Sequence, residues 1–203
     1  LNGARIGVPS DTEDTGNDVN YGPLSPAATA VLANVISALQ DLGATIVRAS
    51  MPTAGWIGGP GTEITVLNRN PESPGLHSVA RTPIVFLYEL KHDLNQYLTH
   101  WAKGTKIKSI ADVVAFNAAH PDRALRFGQD LFLAAAGTRG ALSEPEYRAA
   151  RRNDLLSAKK HGLDAYIRMH KLDAVLFPGA SGDGIAAKAG YPSVQAPAGD
   201  ISG

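Results

Sequence analysis

The sequence predicts an α/β fold in which helices pack around a few strands, mostly parallel or mixed. Three observations carry that expectation. Short apolar or β-branched runs stand near both ends, at 5–9, 44–47, 173–177 and 193–197, and long stretches with apolar residues three and four apart lie between them. The first two runs are separated by one such stretch, which is the strand–helix–strand order of a parallel crossover.

Taken in order, Arg5 to Pro9 (RIGVP) reads as a strand that stops at its proline. Ser10 to Pro23 is dense in Asp, Thr, Asn and Gly and reads as a loop. Ser25-Pro26 opens a helix, with Ser at the N-cap and Pro in the first helical position. Val31, Leu32, Val35, Ile36, Leu39 and Leu42 define its buried face, and Gly43 its stop. Ala44 to Val47 is the next strand. Met51 to Pro83 has no regular period and reads as a long functional or covering loop, with Trp56 to Gly61 as the candidate cover.

Helical spacing returns at Ile84, where Leu87, Leu90, Leu94, Tyr97 or Leu98, and Trp101 share a face. A second helix starts behind Ser109, with Asp112 placed to complete the cap, Val113, Val114 and Phe116 on the apolar side, and His120-Pro121 as its end. Ser143-Glu144-Pro145-Glu146 announces a third helix toward Lys160, continued past Gly162 to His170. Asp173 to Phe177 and Ser193 to Pro197 are the last strands.

The 203 residues carry 19 Lys and Arg against 19 Asp and Glu, a net charge of zero. Such a chain lacks the electrostatic footprint for nucleic acid or an anionic membrane surface, so neither is expected as a partner. The absence of cysteine excludes a disulfide scaffold, a thiolate metal site and a cysteine nucleophile. No apolar run approaches the roughly 18 residues of a membrane helix.

Gly179-Ala180-Ser181-Gly182-Asp183-Gly184, at the exit of a strand, is where a hydrolase places a nucleophilic serine. The nucleophile elbow needs Gly two residues either side of Ser, and Asp183 occupies the second position, so an ordinary tight loop is the better reading. No Lys-Ser/Thr follows to complete a phosphate loop. The six histidines, at 77, 92, 100, 120, 161 and 170, are not spaced as metal ligands. Asp93, Asp112, Asp130 and Asp173 form no recognisable dyad. The residues alone supply a scaffold and glycine loops without a complete catalytic set, and no cofactor or metal is expected.

Several segments taken together resemble the amidase signature family: LNGARIGVP (1–9), YELKHDLNQYL (88–98), SIADVVAFNAAHPDR (109–123), FGQDL (127–131), LDAVLFPG (172–179) and IAAKAGYPSVQAPAG (185–199). The resemblance implies an α/β/α architecture with a mixed central sheet. It also implies hydrolysis of an amide C–N bond by a lysine and two serines that lie outside this chain, in an earlier glycine- and serine-rich region. This chain would then be an internal segment of one amidase domain, continued at both ends, with a small amide as the substrate of the whole protein. By the same resemblance Phe177, Pro178, Gly179, Ala180 and Ser181, and the turn Gly190, Tyr191 and Pro192, form substrate-pocket wall. The plain alternative is that these turns only reverse the chain. A different class of reading is a non-catalytic, small-ligand-binding or accessory α/β domain.

A segment of a larger sheet leaves strand edges unpaired. The isolated chain is therefore expected to aggregate, to form homodimers or to unfold easily, as light scattering and denaturation will show, and a compact, highly stable monomer would count against the segment reading.

Overall fold

The computed structural model describes residues 1–10, 24–52, 63–67 and 79–200. The chain divides into two compact units, one of residues 1–57 and 154–203, the other of residues 58–153.

In the first unit, strand β1 (Arg5–Val8) lies between β2 (Thr45–Arg48) and β5 (Ala174–Val175), and both pairings are parallel. Helix α1 (Pro26–Asp41) connects β1 to β2, as the crossover pattern predicts. The Ser25 hydroxyl oxygen accepts the Ala28 N–H at 3.2 Å, satisfying one of the free donors of the first turn. Because side chains alternate across a strand, β1 serves two cores. Val8 faces Leu32 and Ile36 of α1, with Ile46 and Leu176 beside them. Gly7 pairs with Val47 and Val175, which face the opposite way, toward Met51, Ala158, Leu163, Tyr166, Leu172, Ile185 and Ala189.

Gly7 lets the buried Tyr166 and Leu172 approach the strand backbone: a Cβ there would stand 2.4 Å from Leu172 Cδ1 and 2.9 Å from Tyr166 Cε1. The helical part of the second core comes from residues 155–170 and 183–189. Helix α6 (Pro145–Asp154) runs into a π-type stretch, Leu155–Leu163, and then into α7 (Asp164–His170). Gly162, at φ −93° and ψ −107°, interrupts the helical geometry at the position where the sequence predicts a break. Helix α8 (Asp183–Ala189) also lies against the π stretch.

Arg5 ties the ends of this unit together. Its backbone N–H donates to Asp173 Oδ2 at 2.8 Å, and the Asp173 N–H donates to the Arg5 carbonyl at 2.8 Å. Its guanidinium Nε donates to the carbonyls of His170 and Lys171, and Nη2 to that of His170, so the cation caps the carboxyl end of α7.

In the second unit, β3 (Glu63–Leu67) pairs antiparallel with β4 (Val79–Pro83), which leads directly into α2 (Ile84–His100). The other elements are α3 (Ile110–Ala119), the single turn α4 (Pro121–Ala124), α5 (Asp130–Ala136) and most of α6. Leu87 of α2 meets Ile110 of α3 and Ala135 of α5 in one cluster, while Val85 and Tyr88 meet Tyr147 and Ala150 of α6 in another. Polar contacts follow the same helix. The Asn95 side-chain oxygen accepts the Ile110 N–H at 2.7 Å, and Lys91 Nζ donates to the carbonyls of Ala136 and Thr138. Tyr88 donates to Glu146 at 2.6 Å and Tyr147 to Glu89 at 2.8 Å, a crossed pair of bonds between α2 and α6. Both phenols are pushed up to about 12, Tyr88 chiefly by the hydrogen bond to Glu146 and Tyr147 chiefly by burial. The predicted cap at Ser109 is present: its Oγ accepts the Asp112 N–H and donates to Asp112 Oδ2.

Several expectations are corrected. The span from Met51 to Pro83 contains the hairpin strands β3 and β4, whose β-branched residues are hidden from sequence inspection by the surrounding Gly and Pro. Segment 10–23 is described only at Ser10, and the Trp56–Gly61 cover lies outside the described residues. The strand expected over 173–177 keeps only Ala174 and Val175 in the ladder. Ser193–Pro197 forms no ladder with the described strands and is exposed, with Val194 at 96%. On α2 the predicted face is buried at Leu87 but emerges at Tyr97 and at Trp101, which is 75% exposed; Phe116 of α3 is likewise exposed and stacks on His120. Among the described residues no helix is long and apolar enough to cross a membrane.

Gly7→Ala is expected to destabilise the protein by about 1–3 kcal/mol, since the buried Leu172 side chain and Tyr166 ring must both shift to admit the methyl group. Chemical denaturation of the two proteins measures the difference.

Candidate functional site

Beyond β5 the chain leaves the sheet through the two hydrogen bonds that shape the first candidate turn. The Ser181 N–H and the Ser181 hydroxyl both donate to the Pro178 carbonyl, at 3.2 and 2.9 Å. The hydroxyl is thus held by its own turn, as a loop serine would be. Phe177 is half-buried against the second core and covers Gly182 so closely that a Cβ there would lie 2.5 Å from its ring. Gly179 and Ala180 stand exposed at the tip.

The turn then enters α8, and the second candidate turn leaves it. Gly190 takes a left-handed conformation, φ +72°, and ends the helix, while the Tyr191 N–H donates back to the Ala186 carbonyl at 2.9 Å. The two predicted turns therefore stand at opposite ends of a seven-residue helix, about 10 Å apart by its rise. Both reach the same core, through Phe177 and Tyr191. Pro192 is exposed.

Tyr191 is held by more than its backbone. Its hydroxyl donates to Asp164 Oδ1 at 2.5 Å, and Lys159 Nζ donates to the same oxygen at 3.0 Å while lying 4.7 Å from the centre of the Tyr191 ring. The Tyr191 hydrogen bond, with Lys159 adding, holds the Asp164 carboxyl below the usual carboxylate range. The same bond, with burial adding, raises the Tyr191 phenol. One turn earlier, Lys188 of α8 stands 3.7 Å from the buried Asp154, and both side chains are largely hidden from water. Sequence inspection does not single out Asp164 and reads Lys159 only as one of the basic residues of a solvated helix face; the two are five apart in the chain and 27 and 32 residues from Tyr191.

Two of the surface grooves formed by described residues are lined without the predicted turns. One, about 460 Å³, runs along α2 past Phe86, Glu89, Leu90, Asp93, Leu94 and Tyr97. The other, about 380 Å³, lies between α1 and Pro197-Ala198.

The fold, helices around a small parallel sheet, is an α/β architecture that matches the amidase signature fold. The similarity is to amidases at the level of sequence as well. A probable amidase of Arabidopsis thaliana is 36% identical over 122 residues, which are 59% of this chain and 23% of that protein. The peptide amidase of Stenotrophomonas maltophilia superposes with a TM-score of 0.66 at 26% identity, covering 98% of this chain and 37% of the amidase. A peptide amidase in complex with the competitive inhibitor chymostatin gives 0.67 at 28% identity, covering 98% and 38%. No family model matches the chain. The chain is homologous to the amidase signature enzymes, and it spans less than two fifths of the length of each of these relatives.

The Tyr191–Asp164 bond has opposite limits in pH. Asp164, with a lowered folded value, contributes stability above the ordinary carboxylate range and loses it as pH falls through that folded value. Tyr191, with a raised value, contributes below the ordinary phenol range and loses it as pH rises through its own. Tyr191→Phe is expected to cost about 1 kcal/mol near neutrality. The difference from wild type should shrink in strong acid, as denaturation midpoints across pH will show.

Proposed function

We propose that this chain is part of an amidase that hydrolyses an amide C–N bond, other than a peptide bond, through a Ser-Ser-Lys acyl-enzyme mechanism. The lysine and two serines lie outside residues 1–203, and this segment supplies scaffold and the wall of the substrate pocket. In that chemistry one serine attacks the carbonyl carbon, the lysine removes its proton by way of the second serine, and backbone N–H groups hold the oxyanion before ammonia or an amine departs. The observation that carries the reading is the superposition of 98% of this chain on a peptide amidase at a TM-score of 0.67 with 28% identity.

The internal chemistry of the turns agrees with a supporting role. The Ser181 hydroxyl is bonded to the Pro178 carbonyl, so it stands as a loop serine and not as an activated nucleophile. Phe177, Pro178, Gly179, Ala180 and Ser181 lie just beyond a parallel strand, where ligands collect in open α/β sheets, and Gly190, Tyr191 and Pro192 close the far end of α8. A small amide is the substrate of the complete enzyme, and the outer edges of β2 and β5, unpaired among the described strands, make aggregation, dimerisation or easy unfolding the expected behaviour of the segment alone.

Ammonia release from simple primary amides tests the proposal. The isolated 203-residue chain should give none, and turnover that Ser181→Ala abolishes would overturn the reading. In the longer polypeptide that carries the catalytic residues, Phe177→Ala should raise KM about tenfold, the effect of removing an apolar wall from a pocket.

A further inference from the structure

Residues five apart on an α-helix point about 140° away from each other. Lys159 and Asp164 nevertheless meet at 3.0 Å, because the backbone between them kinks at the non-helical Gly162 and makes a π turn closed by the Asp164 N–H on the Lys159 carbonyl. The widened turn brings the two onto one face and presents a single carboxylate oxygen to two donors, Lys159 Nζ and the Tyr191 hydroxyl. Tyr191 is thereby fixed at its hydroxyl by Asp164, over its ring by the Lys159 cation, and at its backbone by Ala186. Phe177 packs against the same core.

We propose that Asp164, set in place by the π turn and balanced by Lys159, is the positioning residue for the Gly190–Pro192 turn in substrate binding. This rests on reading that turn as pocket wall. Asp164 touches no reacting atom; it acts by fixing the angle of the Tyr191 ring before substrate arrives, which lowers the ordering cost of binding. Its loss should therefore appear in KM and leave kcat nearly unchanged. The raised phenol of Tyr191 provides a second, independent readout in the chain itself.

In the amidase polypeptide carrying this segment, Asp164→Ala and Tyr191→Phe should each raise KM about fivefold with kcat within about twofold, and the double variant should be no worse than either single one. Asp164→Glu should recover most of the affinity, and Asp164→Asn gives a milder variant should the alanine protein fail to fold. In the 203-residue chain, ultraviolet titration should show one tyrosine moving down toward its ordinary range in Asp164→Asn. If Tyr191→Ala raises KM while neither Asp164 variant does, the positioning role is overturned and the wall reading stands. If Tyr191→Ala leaves KM unchanged, the wall reading is overturned and the positioning role falls with it. A tyrosine titration unaltered by Asp164→Asn overturns the clamp whatever the kinetics show.

Discussion

Bare backbone at Gly7 sets the spacing of the first unit. Tyr166 and Leu172 rest against the strand at distances a methyl group would fill, and from that approach the rest of the second core takes its position. Val47 and Val175 continue the same face on either side, and Ile185 and Ala189 bring α8 onto it. On the reverse face Val8 does the ordinary work of a strand residue against Leu32 and Ile36. One strand of four residues thus separates two cores, and the turns that flank α8 inherit their place from the side without a side chain.

The second unit is organised by a helix. Successive residues of α2 address different neighbours: Leu87 the α3–α5 cluster, Tyr88 and Glu89 the crossed bonds to α6, Lys91 the end of α5, and Asn95 the start of α3. Hydrogen bonds at helix ends recur in both units, since free carbonyls and N–H groups there need partners. Arg5 serves α7 in this way and Lys91 serves α5. These polar contacts specify which ends meet, while burial of Leu87, Ile110, Ala135 and Tyr166 supplies the driving force.

Local chemistry made much of this fold legible in the sequence. Ser25 and Ser109 act at their helix starts, Gly162 breaks the long helix, and the first two strands pair in parallel, because capping, breaking and crossover rules depend on neighbours in the chain. What escaped was set by partners. The hairpin of β3 and β4 draws its order from a ladder that no local rule identifies among glycines and prolines. Ser193–Pro197 has the composition of a strand, yet a strand exists only where another strand accepts its hydrogen bonds. Of the candidate site, both turns were readable from their glycines and prolines beyond an apolar run and from the resemblance. Asp164 and Lys159 were not, because a five-residue spacing carries no helical signal until the backbone widens to a π turn.

The bonds between Arg5 and the segment from His170 to Asp173 also bear on the order in which the molecule can be assembled. They join positions 165 to 168 residues apart, whereas the second unit is one uninterrupted stretch of chain. Closing a long loop costs entropy before any contact rewards it, and non-local pairing slows folding. The second unit can therefore condense while β1 still has only β2 beside it. The central strand, synthesised before either of its partners, is among the last to gain its full set of neighbours.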